Sequence, residues 1–136
     1  MAEIGSFMYI SDKDAVRAKI MFNNNDFSAC GRFCEQSVEK SLKAYISEYG
    51  EDIDMALLYL HKPFRLYERC CELGLENFNK DTALDLAHFD DYYYGTNYPG
   101  ENYFELTKEQ AEEALKIMEL INEMVKNKLN SSNKEE

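Results

Sequence analysis

The side chains in this sequence best suited to moving a proton near neutral pH are two histidines, His61 and His88. Neither sits in a spacing that marks a known catalytic device: HExxH, GxSxG and the DxDxDG loop are all absent. The two glycine-rich phosphate cradles, GxxxxGK[ST] and GxGxxG, are absent as well. What remains is suited to binding. Lys40 and Lys43 are closely spaced cations, with Glu39 four residues before Lys43 in the order that favours a helical ion pair. Lys62, Arg65 and Arg69 form a second, looser basic set. Asn97 and Tyr98 can hydrogen-bond and stack, in a segment where Tyr92, Tyr93, Tyr94, Tyr98, Tyr103 and Phe104 crowd together. Those rings suit a nucleobase. Sealing one end of a bundle, or a dimer interface, suits them better.

Each of these groups has a plainer alternative. His88 lies on a helical stripe and is expected to be a satisfied core or interface histidine, and His61, beside Lys62-Pro63, an exposed turn residue. Asp90 and Asp91 are expected at the surface. Cys30 and Cys34 are one helical turn apart and Cys70 and Cys71 are adjacent, neither pair forming a CxxC zinc knuckle. They are expected to be small buried hydrophobes. No metal and no cofactor are expected.

Positioning these groups falls to helices. From Asp26 to Gly50, the apolar residues Phe27, Cys30, Cys34, Val38, Leu42, Tyr45, Ile46 and Tyr49 recur in steps of three and four, which puts them on one helical stripe. Arg32, Glu35, Gln36, Glu39, Lys40, Lys43 and Glu48 fall mostly on the other side. Asp26 can cap this helix, and Gly50 suits a left-handed stop. Before it, Ser11 with Asp14 predicts a helix to about Phe22, and Asn23-Asn24-Asn25 a short turn. After it, a short helix capped by Asp52 or Asp54 runs to Leu60, and Pro63 opens another that stops at Gly74. Lys80-Asp81-Thr82 begins a fourth long helix with Leu84, Ala87, His88 and Tyr92 inward. Residues 95–106 predict an ordered loop. Thr107 and Gln110 cap a last helix carrying Ala111, Ala114, Leu115, Met118, Ile121, Val125 and Leu129. No period-two alternation occurs, so the fold class is all-α: an antiparallel up-and-down bundle of four to five helices. The division expected is an extension over 1–10, a bundle over 11–129 and a disordered polar tail over 130–136.

The 136 residues suffice for one core. No apolar run is long enough to span a membrane, and the first residues do not read as a signal peptide. A cytoplasmic location is expected. The net charge of −11 disfavours broad coating of a phosphate backbone and leaves only local basic patches for an anion.

The segment DFSACGRFCEQSVEKSLKAY, Asp26 to Tyr45, resembles the second helix of HEPN domains. The preceding Asp12–Ala18 pattern, the Tyr93–Pro99 turn and the amphipathic last helix fit the same family, so the resemblance covers roughly residues 11 to 129. It implies a helical bundle that binds nucleotide or nucleic acid, commonly beside a small nucleotidyltransferase, and commonly as a homodimer. Many active relatives carry an Arg separated from a His by four to six residues, for metal-independent RNA cleavage. Here the positions that would serve His61 hold Asp54, Met55 and Ala56, and those that would serve His88 hold Asp81, Thr82 and Ala83. Relatives also often carry Arg just before the Tyr-Pro pair, where this chain has Asn97. The expectation is therefore a non-catalytic binding module, its ligand held by Lys40, Lys43, Glu39, Asn97 and Tyr98. One alternative is the ribonuclease toxin of a toxin–antitoxin pair with an unconventional active site. Another is a structural dimer or adaptor without a ligand.

Overall fold

The computed structural model describes residues 5–134. Among them are five α-helices, α1 (Phe7–Asn23), α2 (Phe27–Tyr49), α3 (Pro63–Glu72), α4 (Lys80–Asn97) and α5 (Lys108–Lys134), with a 3₁₀ helix at Asp52–Tyr59. No strand occurs among the described residues. The all-α bundle is as the periodicity predicts.

The central helix is α2, which packs against α1, α3, α4, α5 and the 3₁₀ helix. Asp26 caps it as expected, its Oδ1 accepting from the Ala29 N–H at 3.1 Å. Cys30, Cys34, Val38, Leu42, Tyr45 and Ile46 are buried, and all four cysteines are free thiols. Because neighbours cover α2 on several sides, Glu35, Glu39 and Lys43, read from the sequence as outer-face residues, are buried too. Gly50 ends the helix in extended backbone at φ −79°, ψ 165°, not in the left-handed conformation.

Three boundaries differ from the sequence expectation. Helix α1 begins at Phe7, where the Ser6 hydroxyl accepts from the Tyr9 N–H at 3.2 Å. Ser11 is therefore an interior residue. Its hydroxyl donates to the Ser37 carbonyl at 2.7 Å and helps lock α1 onto α2. Helix α4 continues through Gly95 to Asn97, so the loop starts only at Tyr98. Its inward residues are Ala83, Leu86 and Phe89, one position off the predicted stripe, and Leu84 is 50% exposed. At the C-terminus, α5 runs into the expected tail as far as Lys134; residues 1–4 of the expected extension and 135–136 of the tail lie outside the described residues. The Thr107–Gln110 capping box forms in both directions, at 2.9 and 3.1 Å.

Two glycines seat the loop between α4 and α5. A Cβ on Gly95 would lie 2.0 Å from Phe104 Cε1, and one on Gly31 would lie 2.4 Å from Leu106 Cδ2. The missing side chains let Phe104 lie on α4 and Leu106 on α2. Backbone and side-chain bonds then pin the loop: Phe104 N–H to the Gly95 carbonyl at 2.9 Å and Leu106 N–H to Ser28 Oγ at 3.0 Å.

Candidate functional site

The pinned loop forms one wall of an open cleft of about 1060 Å³. The second wall is the end of the 3₁₀ helix and the turn after it, Tyr59 to Lys62, and the third is α4 from His88 to Gly95. Tyr98, Pro99, Tyr103 and Phe104 bring aromatic and apolar surface, while His61, Lys62, His88, Asp90, Asp91 and Glu101 bring charge and hydrogen-bonding groups. The side chains of Tyr93 and Tyr94, part of the aromatic set noted in the sequence, lie outside what the structure describes.

The wall that carries His61 is fixed from below. Arg69 holds Asp54 in a two-pronged pair, Nε to Oδ1 at 2.8 Å and Nη2 to Oδ2 at 3.0 Å. The Arg69 guanidinium keeps the Asp54 carboxyl below the usual carboxylate range, helped by the Glu51 N–H at 2.9 Å. A planar guanidinium suits this two-pronged geometry. It ties the start of the 3₁₀ helix to α3 and so sets where the following turn, Leu60-His61-Lys62, emerges. Arg69 also pairs with Glu72, and Arg65 with Glu68. Of the second basic set, Lys62 is the member that lines the cleft.

Behind that wall a ladder of charged groups runs through α2. Glu35, Glu39 and Lys43 are one turn apart on a single line of the helix. Lys43 Nζ lies 2.7 Å from Glu39 Oε1, with both side chains buried. The same Oε1 lies 2.8 Å from His61 Nδ1, so a buried carboxylate orients an imidazole that is 66% exposed at its side chain. Lys40 Nζ is 3.9 Å from Oε1 and 3.3 Å from Gln36 Oε1. Burial, reinforced by its hydrogen bond and repulsion with Glu39, pushes the Glu35 carboxyl up to about 9. Burial also pushes Glu39 upward, but the Glu35 bond and the Lys43 ammonium outweigh it and hold Glu39 below the ordinary range. Two carboxyls in contact share one proton. Glu39 Oε2 is buried and has no hydrogen-bond partner among the described residues. The proton belongs on Glu35, and the charge on Glu39.

This arrangement separates the residues expected at a ligand site. Tyr98 lines the cleft and is 53% exposed. Asn97, the last residue of α4, is exposed but not part of the lining. Glu39 reaches the cleft only through His61. Lys43 is 2% exposed and committed to Glu39, so it has no face for a phosphate. Lys40 is bound to Gln36 and is not part of the lining either. The expected meeting of Lys40 and Lys43 with the loop does not form, because α2 turns this pair toward its own carboxylates. The cation that does reach the region of Asn97 comes from earlier in α2: Arg32 Nη1 donates to Thr96 Oγ1 at 3.1 Å. His88 is exposed in the cleft wall rather than packed in the core.

Sequence reasoning names Lys62 only within a looser basic set, places Asp90 at the surface, and misses the Glu39–His61 contact. The i, i+4 spacing of Glu35, Glu39 and Lys43 was an available signal, since a helix covered on many sides must bury some of its polar line. Nothing local paired Glu39 with His61, twenty-two residues away. Among the described residues no group of three His, Cys, Asp or Glu side chains could hold a metal ion. None of the described helices is long and apolar enough to cross a membrane.

Comparison with known proteins gives two findings. The family model described as the HEPN domain matches residues 6–128. The crystal structure of an archaeal HEPN homologue superposes with a TM-score of 0.68 at 19% identity, covering 94% of this chain and 98% of that one. No protein of curated function matches the chain. At that identity the structural likeness speaks to the fold alone.

Proposed function

Because the chain belongs to the HEPN domain family, we propose that the cleft bounded by His61, α4 and the 98–104 loop binds a nucleotide, or a nucleotide unit of a nucleic acid, without cleaving it. The observation that carries this is the cleft itself. It has room for a nucleoside phosphate, tyrosine rings at one wall and Lys62 with a carboxylate-oriented His61 at another. Ring faces accept a base, and an ammonium beside an imidazole accepts one phosphate. Neither histidine has an Arg at the spacing that active relatives use, which supports binding over catalysis. The module works as a homodimer beside a small nucleotidyltransferase partner, as the family resemblance implies. Calorimetric titration with nucleoside monophosphates is expected to show saturable binding that weakens with salt and is lost in Lys62→Ala. Titrations that stay flat for every nucleotide would remove this function. A monomer mass in light scattering at micromolar concentration would remove the dimer.

One observation favours a second reading, an unconventional ribonuclease. His61 and His88 line the same cleft, and the carboxylate behind His61 Nδ1 fixes its tautomer and leaves Nε2 to take or give a proton. Metal-free RNA cleavage that disappears in both His61→Ala and His88→Ala would establish it in place of the binding module.

A further inference from the structure

The field around the cleft is wrong for a polyphosphate. Its walls set Lys62 and two histidines against Asp90, Asp91 and Glu101, in a chain of net charge −11. Every phosphate beyond the one that Lys62 can meet enters a negative potential. What the cleft has in surplus is an acceptor. Asp90 lines it, yet Asp90 Oδ1 is buried and has no hydrogen-bond partner among the described residues. Burial holds the Asp90 carboxyl above the usual range against the pull of Lys62, with Asp91 and Glu39 adding repulsion. An ionised carboxylate only accepts, so what it lacks is donors. Its terminal torsion is broad and two-fold, so a rotation brings the buried Oδ1 out beside Oδ2 and sets both oxygens toward a ligand.

The edges of the bases differ in what they bring. Guanine carries N1–H and the 2-amino group side by side, two parallel donors spaced to meet the two oxygens of one carboxylate. Adenine sets one donor, the 6-amino group, beside the N1 lone pair, which would face a carboxylate oxygen. Tyr98 and Tyr103, both about half exposed where the loop borders the cleft, offer ring faces on which the base stacks. Lys62, on the wall formed by the 59–62 turn, is then left to meet the phosphate.

We propose that the cleft is selective for guanine carrying at most one phosphate, with Asp90 reading the donor edge of the base and the surrounding acids excluding triphosphates. This rests on the nucleotide reading above and names its ligand class. Two sources of the same chemistry are open to it: a free guanosine monophosphate, and a guanine splayed out of a single strand.

The test is a set of calorimetric titrations of the full chain with GMP, GTP, AMP and guanosine, and with oligo-uridine strands that hold or lack one guanine. The expected order places GMP about tenfold or more ahead of AMP and GTP behind GMP. A strand preferred only when it holds guanine assigns the source to nucleic acid; indifference between strands assigns it to the free nucleotide. In Asp90→Asn the amide accepts from the 6-amino group and donates to N1 of adenine, so the GMP to AMP ratio should fall and turn toward AMP, with the helical signal unchanged. Equal affinity for AMP and GMP in the parent chain, or GTP binding more tightly than GMP, overturns the proposal and leaves the nucleotide site standing. Failure of every nucleotide to bind overturns both.

Discussion

Replacing Glu35 by Gln tests the buried ladder at its most exacting point. The folded protein holds the Glu35 proton to about 9, against an ordinary value of 4.5. A carboxyl raised in this way stabilises the fold fully below its unfolded value, and the contribution is lost as pH rises toward the folded one. The window is therefore from about 4.5 to about 9. The pH of 7 lies about 2.5 units above the ordinary value of 4.5, which at about 1.4 kcal/mol per unit sets a ceiling of about 3–4 kcal/mol on the cost. Glu39 draws part of this back, since the same proton stabilises its charge. In Glu35→Gln the amide N–H donates to Glu39 without any proton to hold. Its carbonyl accepts from Gln36, which now donates to Glu35 Oε2 at 2.7 Å. The variant should match the parent near pH 5 and exceed it by about 1–3 kcal/mol at pH 7. Urea midpoints followed by circular dichroism at each pH measure the difference. Parallel pH dependence in parent and variant would refute the shared-proton account.

Other changes separate structural from ligand roles. Lys43→Met leaves the buried Glu39 without its nearest cation and should cost about 3–5 kcal/mol in urea denaturation, behaving as a core lesion rather than a surface one. Gly95→Ala adds a good helix former but drives a methyl into Phe104; overpacking wins, and a net loss of about 1–3 kcal/mol is expected from the same measurement. A stabilised variant would show that Phe104 does not rest on α4. Tyr98→Ala should weaken nucleotide binding by about 1–3 kcal/mol with the helical signal intact, as calorimetry and circular dichroism together would report.

What the sequence made legible follows from what it encodes locally. The apolar stripe of α2, the Asp26 cap, Pro63 at the first turn of α3 and the Thr107–Gln110 box each depend on residues within a few positions of one another, and all four form. The start of α1 is displaced from the sequence expectation because Ser11 and Asp14 imitate a cap, while their real partners are Ser37 and Arg17. The end of α4 lies beyond the sequence expectation because Gly95 and Asn97 are turn residues by type, yet the helix continues to Asn97. Position 95 is glycine because Phe104 needs the space, a demand set by a residue beyond the next turn. Lys40 and Lys43 read as a phosphate site only if charge on a helix means surface. On a helix enclosed by its neighbours, Lys43 instead turns inward to pair with Glu39, and Lys40 bonds to Gln36.

That enclosure also limits what the ladder can be for. A buried ion pair seldom improves on well-packed hydrophobic residues of the same size, since desolvation offsets most of the Coulombic gain. Glu35 adds the further cost of a held proton. If fastening α2 were its whole role, apolar side chains like those at Val38 and Leu42 would serve at least as well. The ladder instead ends outside the core. Its last member, His61, takes its orientation from the same Glu39 oxygen that Lys43 neutralises, and presents its ring to the cleft. A neutral packing residue at position 39 would leave that ring free to rotate on an exposed turn. The position of His61 over the cleft is thus set from within α2, and the stability spent on a buried carboxylate is recovered as order at the cleft wall that also carries Lys62.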